Sequence, residues 1–219
     1  MDKLVEIEED LQYITVASRK DLKEHALIRV ILSTLADVEE ISNITKGDLE
    51  IKKSNGRRAF ALNLRKGGKS RKAPIDETTY ELLSKITKNY TRKQRIFDYT
   101  GKDIDEIIAK YSPSSKRYGI NELRRGVMKI LEDNLLNISV KEIFDMNFWE
   151  LSDFLSEFHP MFSGMWDLKD DDVAQDYFIM LTKRHGISDY SEISEISGES
   201  IERIEKLMKR KWFQSYLEL

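Results

Sequence analysis

The sequence predicts an α+β fold, mainly α-helical, built around a small three-stranded antiparallel sheet. Three observations carry this. Apolar residues recur near helical spacing over residues 20–44 and again from residue 78 onward. Between residues 49 and 76 the pattern shortens to strand-like segments. Two glycine-bearing turn signals, "SNG" and "KGGKS", divide that middle stretch into three.

Taken in order, "KDLKEHALIRVILSTLADVEEISNI" (20–44) places Leu22, Leu27, Ile28, Ile31, Leu32, Leu35, Val38 and Ile41 on a buried face, enough for one helix or two. "LEIKK" (49–53), "AFALNL" (59–64) and "KAPID" (72–76) are the three strands. Helices follow at 78–90, 101–111 and 120–136. Trp149, Phe148 and Phe154 then recur at helical spacing and are read as core. Pro160 and Gly164 make 159–168 the expected boundary between a domain of residues 1–158 and a helical extension of residues 169–219. Within the extension, Ile193, Ile196, Ile201, Ile204 and Leu207, with Gly198 between two runs, resemble a helix-turn-helix. Its second helix opens with Glu199, Glu202 and Glu205, which face phosphates badly, so a packing or partner-binding helix pair is the preferred reading.

Composition narrows the function classes. The 219 residues are 40% hydrophobic and 34% charged, which suits a globular rather than a disordered chain. No apolar run is long enough for a membrane span, and the acidic start "MDKLVEIEEDLQYI" is unlike a secretory signal. The chain holds no cysteine, so disulfides and thiolate metal sites are excluded. His25, His159 and His185 have no metal-ligand spacing, and no metal or cofactor is expected. A cytoplasmic protein is the resulting expectation.

The net charge of −3 conceals an asymmetry. Residues 1–51 carry 6 basic and 12 acidic side chains, residues 52–129 carry 21 and 8, and residues 130–219 carry 9 and 19. A middle of +13 between ends of −6 and −10 points to a polyanionic partner for the middle. The opposing reading is a solvated face neutralised by the chain's own acidic ends. Two clusters concentrate the charge. The hairpin "RKGGKSRKAP" offers Arg65, Lys66, Lys69, Arg71 and Lys72 around Gly67 and Gly68, whose bare backbone can approach a phosphate closely. "KRYGINELRR" offers Lys116, Arg117, Arg124 and Arg125. Arg124 has the alternative of pairing with Glu122 or Asp103 on a helix surface.

These segments resemble the catalytic domain of the tyrosine recombinases, the phage-integrase family. "KGGKSRKAPI" is similar to that family's Lys-Gly-x-Lys-x-Arg-x-x-Pro-Leu hairpin, with Lys66 at the position of the catalytic lysine. "STLADVEEISNITKGDLEI" resembles Thr-Gly-Leu-Arg-x-x-Glu-Leu-x-x-Leu followed by Asp-Ile; Thr34, Glu40, Ile41, Ile44, Asp48 and Leu49 keep the frame. "RIFDYTGKDIDEIIAKY" with "INELRRG" is similar to the run ending in His-x-x-Arg, with Arg124 at the arginine. The likeness covers residues 12–158 and implies an integrase-like domain plus a C-terminal helical extension. The chain begins where that domain begins, so the family's DNA-clamping N-terminal domain is expected to be absent.

The departures fall on the chemistry. Asp37 stands at the family's first arginine, Asn121 at the histidine, Asn147 at the later His or Trp position, and Ser156 near the nucleophilic tyrosine. A tyrosine must attack phosphorus, and two arginines must neutralise the charge that builds on the non-bridging oxygens. Carboxylate in place of guanidinium reverses that help. Lys66 and Arg124 are therefore vestigial, and the expected function is a non-catalytic, integrase-like protein. It would grip double-stranded DNA through the hairpin and the Arg124 helix, in the service of a mobile element or virus. Two other readings stand beside it. One is an active recombinase with a displaced nucleophile, Tyr177 or Tyr190. The other is a protein-interaction module that has lost DNA and binds a partner, or itself, through the acidic C-terminal region.

Overall fold

The computed structural model describes residues 3–54, 56–134, 146–153, 179, 183 and 187–210. The expected boundary at 159–168, together with Phe154, Ser156, His159, Tyr177 and His185, lies outside them.

Helix α1 (Lys3–Ala17) opens the chain, followed by α2 (Leu22–Thr34) and the five-residue α3 (Val38–Ser42). The expected helical stretch at 20–44 is thus two helices. Their break is built by Leu35, whose φ of 54° ends α2 in the left-handed region while its N–H still reaches the Ile31 carbonyl at 2.9 Å. Strands β1 (Leu49–Ser54), β2 (Arg57–Lys66) and β3 (Lys69–Ile75) form an antiparallel meander with β2 in the centre. Leu49 pairs with Leu62, Phe60 with Ile75, and Lys66 with Lys69. The β2–β3 turn is two residues long, with Gly67 at φ 52° and Gly68 at φ 76°. Both values are positive, as a tight hairpin matched to strand twist requires. Helices α4 (Glu77–Ile86), α5 (Gly101–Lys110) and α6 (Ile120–Asn134) complete the main body. A further pair, α7 (Tyr190–Ser197) and α8 (Ile201–Met208), turns at Gly198 with φ 75°.

Helix α2 is the hub. Residues 25–32 are buried without interruption, which takes neighbours on all sides: α1, α4, α6 and β3 each pack on it. Within this buried stretch lies one charge, Arg29, 2% exposed. Its guanidinium binds the Asp76 carboxylate at 2.7 Å and the Thr79 hydroxyl at 2.9 Å, and so ties α2 to the N-cap of α4. Phe60 of β2 packs at a tilt against Tyr80 of α4, with ring centroids 4.6 Å apart.

Three expectations need correction. Helix α1 is not among the expected elements; it packs on α6 with Ile7 and Leu11 against Gly126 while also burying Glu9 and Asp10, acids that conceal its apolar face in the sequence. Leu22 and Ile201 are exposed, because each sits in the first turn of its helix, ahead of the packed face. Phe148 and Trp149 are only half-buried, in edge-to-face contact, and the Lys52 ammonium lies 4.6 Å from the Phe148 ring. Phe148 thus meets β1 through Lys52, and neither ring belongs to the buried core.

Candidate nucleic-acid interface

The α2–α3 turn and the β2–β3 hairpin build the candidate site between them. Leu35 holds the place of the glycine in the integrase pattern, and its left-handed backbone costs a side-chain-bearing residue about 1–2 kcal/mol. The turn it makes delivers Asp37 to the N-cap of α3. There the Asp37 Oδ1 accepts from the Glu40 N–H at 3.0 Å and the Asp37 N–H donates to Glu40 Oε2 at 3.1 Å, a reciprocal capping box.

The first turn of α3 then faces the hairpin with three carboxylates, and each takes a separate group. The Lys66 ammonium donates to Asp37 Oδ2. The Gly67 N–H, at the hairpin tip, donates to Glu39 Oε1 at 2.9 Å. Arg71 grips Glu40 with two parallel bonds of 2.7 and 2.9 Å and also donates to the Thr34 carbonyl at 3.0 Å. Glu40 is buried, so this fork is a structural clasp between hairpin and turn. Arg124, on α6, donates from Nε to the Leu35 carbonyl at 2.9 Å and pairs with neither Glu122 nor Asp103. The structure brings Lys66, Asp37 and Arg124 into one locality.

The electrostatics of that locality couple Asp37 and Lys66 as an ion pair. Partial burial pushes the Asp37 carboxyl up, but the Lys66 ammonium, the Glu40 amide and the Arg124 charge together outweigh it and hold the group below its usual range. The bond and charge of Asp37 raise Lys66 above its ordinary value.

The remaining sequence-selected cations are dispersed. Arg65 binds the buried Asp48, and Lys72 binds Glu50 at 2.6 Å. Lys116 binds Asp10, which also accepts from the Tyr118 hydroxyl. Lys69, Arg117 and Arg125 are exposed, and no carboxylate among the described residues meets them. Asn147 is occupied in capping: its Oδ1 accepts from the Trp149 and Glu150 N–H groups at 3.0 and 3.2 Å. Asn121 is exposed on the first turn of α6, and Tyr190 opens α7 with the Lys183 ammonium 5.6 Å from its ring centroid.

Sequence reasoning missed the acidic half of the site. The signal was the run Asp37, Glu39, Glu40, set at the N-terminus of a short helix opposite the hairpin cations. It also passed over residues 85–95, where five cations occur with no acid between Glu81 and Asp98. Among the described residues, no cluster of His, Asp and Glu is arranged to hold a metal ion, and no helix is long and apolar enough to cross a membrane.

No family model matches this sequence. A protein of Archaeoglobus fulgidus bearing the description "Uncharacterized protein" is 33% identical over 191 residues, covering 87% of this chain and 85% of that one. The chain belongs to the same family as this archaeal protein. Among solved structures, XerA recombinase is similar with a TM-score of 0.42 and 14% identity, over 95% of this chain. This chain spans 58% of the recombinase chain's length.

Proposed function

We propose that the protein is a non-catalytic, integrase-like DNA-binding protein that grips duplex DNA through the β2–β3 hairpin and the α6 segment bearing Arg124 and Arg125. One observation carries the non-catalytic half: a carboxylate, Asp37, replaces the family's first arginine and is bonded to the lysine that would serve as acid. A phosphate brought to Lys66 would meet the Asp37 carboxylate where the resembled enzymes place a positive charge. The binding half is supported by charge and shape. The hairpin tip is exposed from Arg65 to Ser70, and nothing lies within 4 Å of where a Cβ would stand on Gly67 or Gly68. Lys69, Arg117 and Arg125 add cations that no acid among the described residues meets.

The internal pairing of Arg65, Lys66, Arg71 and Lys72 favours one rival reading, a protein-interaction module that has lost DNA. Incubating the protein with nicked duplex and analysing it by denaturing electrophoresis tests the catalytic half. The proposal expects no covalent protein–DNA adduct; an adduct abolished by Tyr190→Phe or Tyr177→Phe would sink it. Retention on a duplex column that is released by salt, and is weakened in Lys69→Gln/Arg125→Gln, tests the binding half. Passage of the wild-type protein without retention, at low salt, would favour the interaction module.

A further inference from the structure

Residues 85–95 form a second basic surface, and its construction differs from that of the hairpin. Lys85 lies in the last turn of α4; Lys88, Arg92, Lys93 and Arg95 follow on the connection to Ile96. All five are exposed, and no carboxylate among the described residues pairs with them. In the same +13 region, by contrast, Arg65, Lys66, Arg71, Lys72, Lys110 and Lys116 each meet an acid. The chain has 39 acidic residues against 36 basic ones, so an uncompensated group of this size is not forced by composition.

The backbone of the connection is fixed, and fixed in one sense. Alternate carbonyls turn inward onto two residues of the Lys46–Asp48 turn. The Lys46 ammonium takes the Lys88 and Tyr90 carbonyls at 3.1 and 3.0 Å. The Lys46 N–H takes the Gln94 carbonyl at 3.1 Å, and the Gly47 N–H takes the Arg92 carbonyl at 2.8 Å. Thr45 bridges Arg95, and the Ile96 N–H reaches the Ile44 carbonyl at 2.9 Å, which leads the chain into fully buried Ile96 and Phe97. The approach at Gly47 is so close that a Cβ there would stand 2.8 Å from the Arg92 oxygen. The Lys88, Tyr90, Arg92 and Gln94 carbonyls are thus engaged internally, and the cations project from a backbone already ordered. An ordered presentation lowers what binding must supply in ordering cost. Asp48, at the end of the same turn, holds Arg65 beside the hairpin tip, so both basic segments are tied to one short piece of chain.

We propose that residues 85–95 are a second phosphate-binding surface and that its ligand is the backbone of duplex DNA. The choice of ligand rests on the DNA-binding reading above, while the surface is argued from residues that reading does not use. Each phosphate contact adds about 0.9 to the slope of log K against log salt.

The test is fluorescence anisotropy of a labelled duplex of about 30 base pairs over a salt series. It compares wild type, Arg92→Gln/Lys93→Gln/Arg95→Gln, the charge-keeping Arg92→Lys/Arg95→Lys, and Lys69→Gln/Arg125→Gln. The triple variant is expected to flatten the slope by about 2.7 and to weaken binding at least about 100-fold near 0.1 M salt. The lysine variant should keep the slope. If circular dichroism shows the triple variant unfolded, Arg92→Gln alone should flatten the slope by about 0.9. A triple-variant slope equal to wild type, with Lys69→Gln/Arg125→Gln flattened, overturns the second surface and leaves the hairpin reading standing. The reverse pattern supports the second surface and removes the hairpin. Absence of duplex binding by wild type at low salt overturns both.

Discussion

Replacing Asp37 by asparagine isolates the charge that sets this site apart. Asparagine is as good an N-cap as aspartate, so the bond to the Glu40 N–H survives and α3 keeps its start. What disappears is the negative partner of Lys66, an exposed pair of the kind that adds little to stability. The melting temperature should therefore barely move, whereas Asp37→Ala, which removes the cap, should lose about 1 kcal/mol. Binding should change far more. With Asp37 neutral, Lys66 is free for one phosphate, and one further contact steepens the salt slope by about 0.9, or about eightfold in affinity near 0.1 M salt. Because Lys66 and its neighbours hold the Asp37 carboxyl below its usual range, acidification from neutral pH does not mimic the substitution. The assay is duplex anisotropy at several salt concentrations, with urea unfolding of the same samples. Unchanged affinity and slope in a folded Asp37→Asn protein would refute the idea that Asp37 holds Lys66 away from phosphate.

The core carries two further expectations. His25 is buried, with its Nδ1 2.9 Å from the Ser18 hydroxyl, and burial followed by the charges of Arg29 and Arg19 lowers it to about 3. The folded state keeps the ring neutral while the unfolded chain takes up a proton below about 6.5, so stability falls as pH drops through that value. The loss between pH 7 and 5 should be about 2 kcal/mol in urea titrations, and His25→Gln should lack that increment; parallel pH profiles would contradict it. Arg29→Met leaves the Asp76 carboxylate buried without its guanidinium and should destabilise by about 3–5 kcal/mol, a value that thermal or urea unfolding reads directly. Gly47→Ala places a methyl group against the Arg92 carbonyl and should cost about 1–3 kcal/mol while leaving every charge in place.

What the sequence made legible followed from local physics. The hairpin could be read because paired glycines between alternating strands leave little choice of turn, and Gly67 and Gly68 take the positive φ values that such a turn demands. The strands extend beyond their expected ends, β2 from 59–64 to Arg57–Lys66, because pairing with both neighbours continues past the apolar residues that revealed it. Helix α4 stops at Ile86, short of the expected 90, where the carbonyls of the following segment turn to Lys46 and Gly47. The site was half legible. Lys66 and Arg124 were found through motif positions, but their partners lie far along the chain: Asp37 is 29 residues from Lys66, Glu40 is 31 from Arg71, and Leu35 is 89 from Arg124. Periodicity carries no information at those separations. Charge balance summed over long windows also concealed which cations are neutralised, since the acids that pair with the hairpin belong to the preceding acidic segment.

The most direct test of the central claim is to follow the backbone amide signals of Gly67 and Gly68 by NMR while duplex DNA is added. Gly67 N–H is bonded to Glu39, so a phosphate that engages the tip must disturb it. The account predicts saturable shifts at both glycines and at Lys69, reversed by salt. Unmoved hairpin amides, with shifts confined to α7 and α8 or absent altogether, would contradict it.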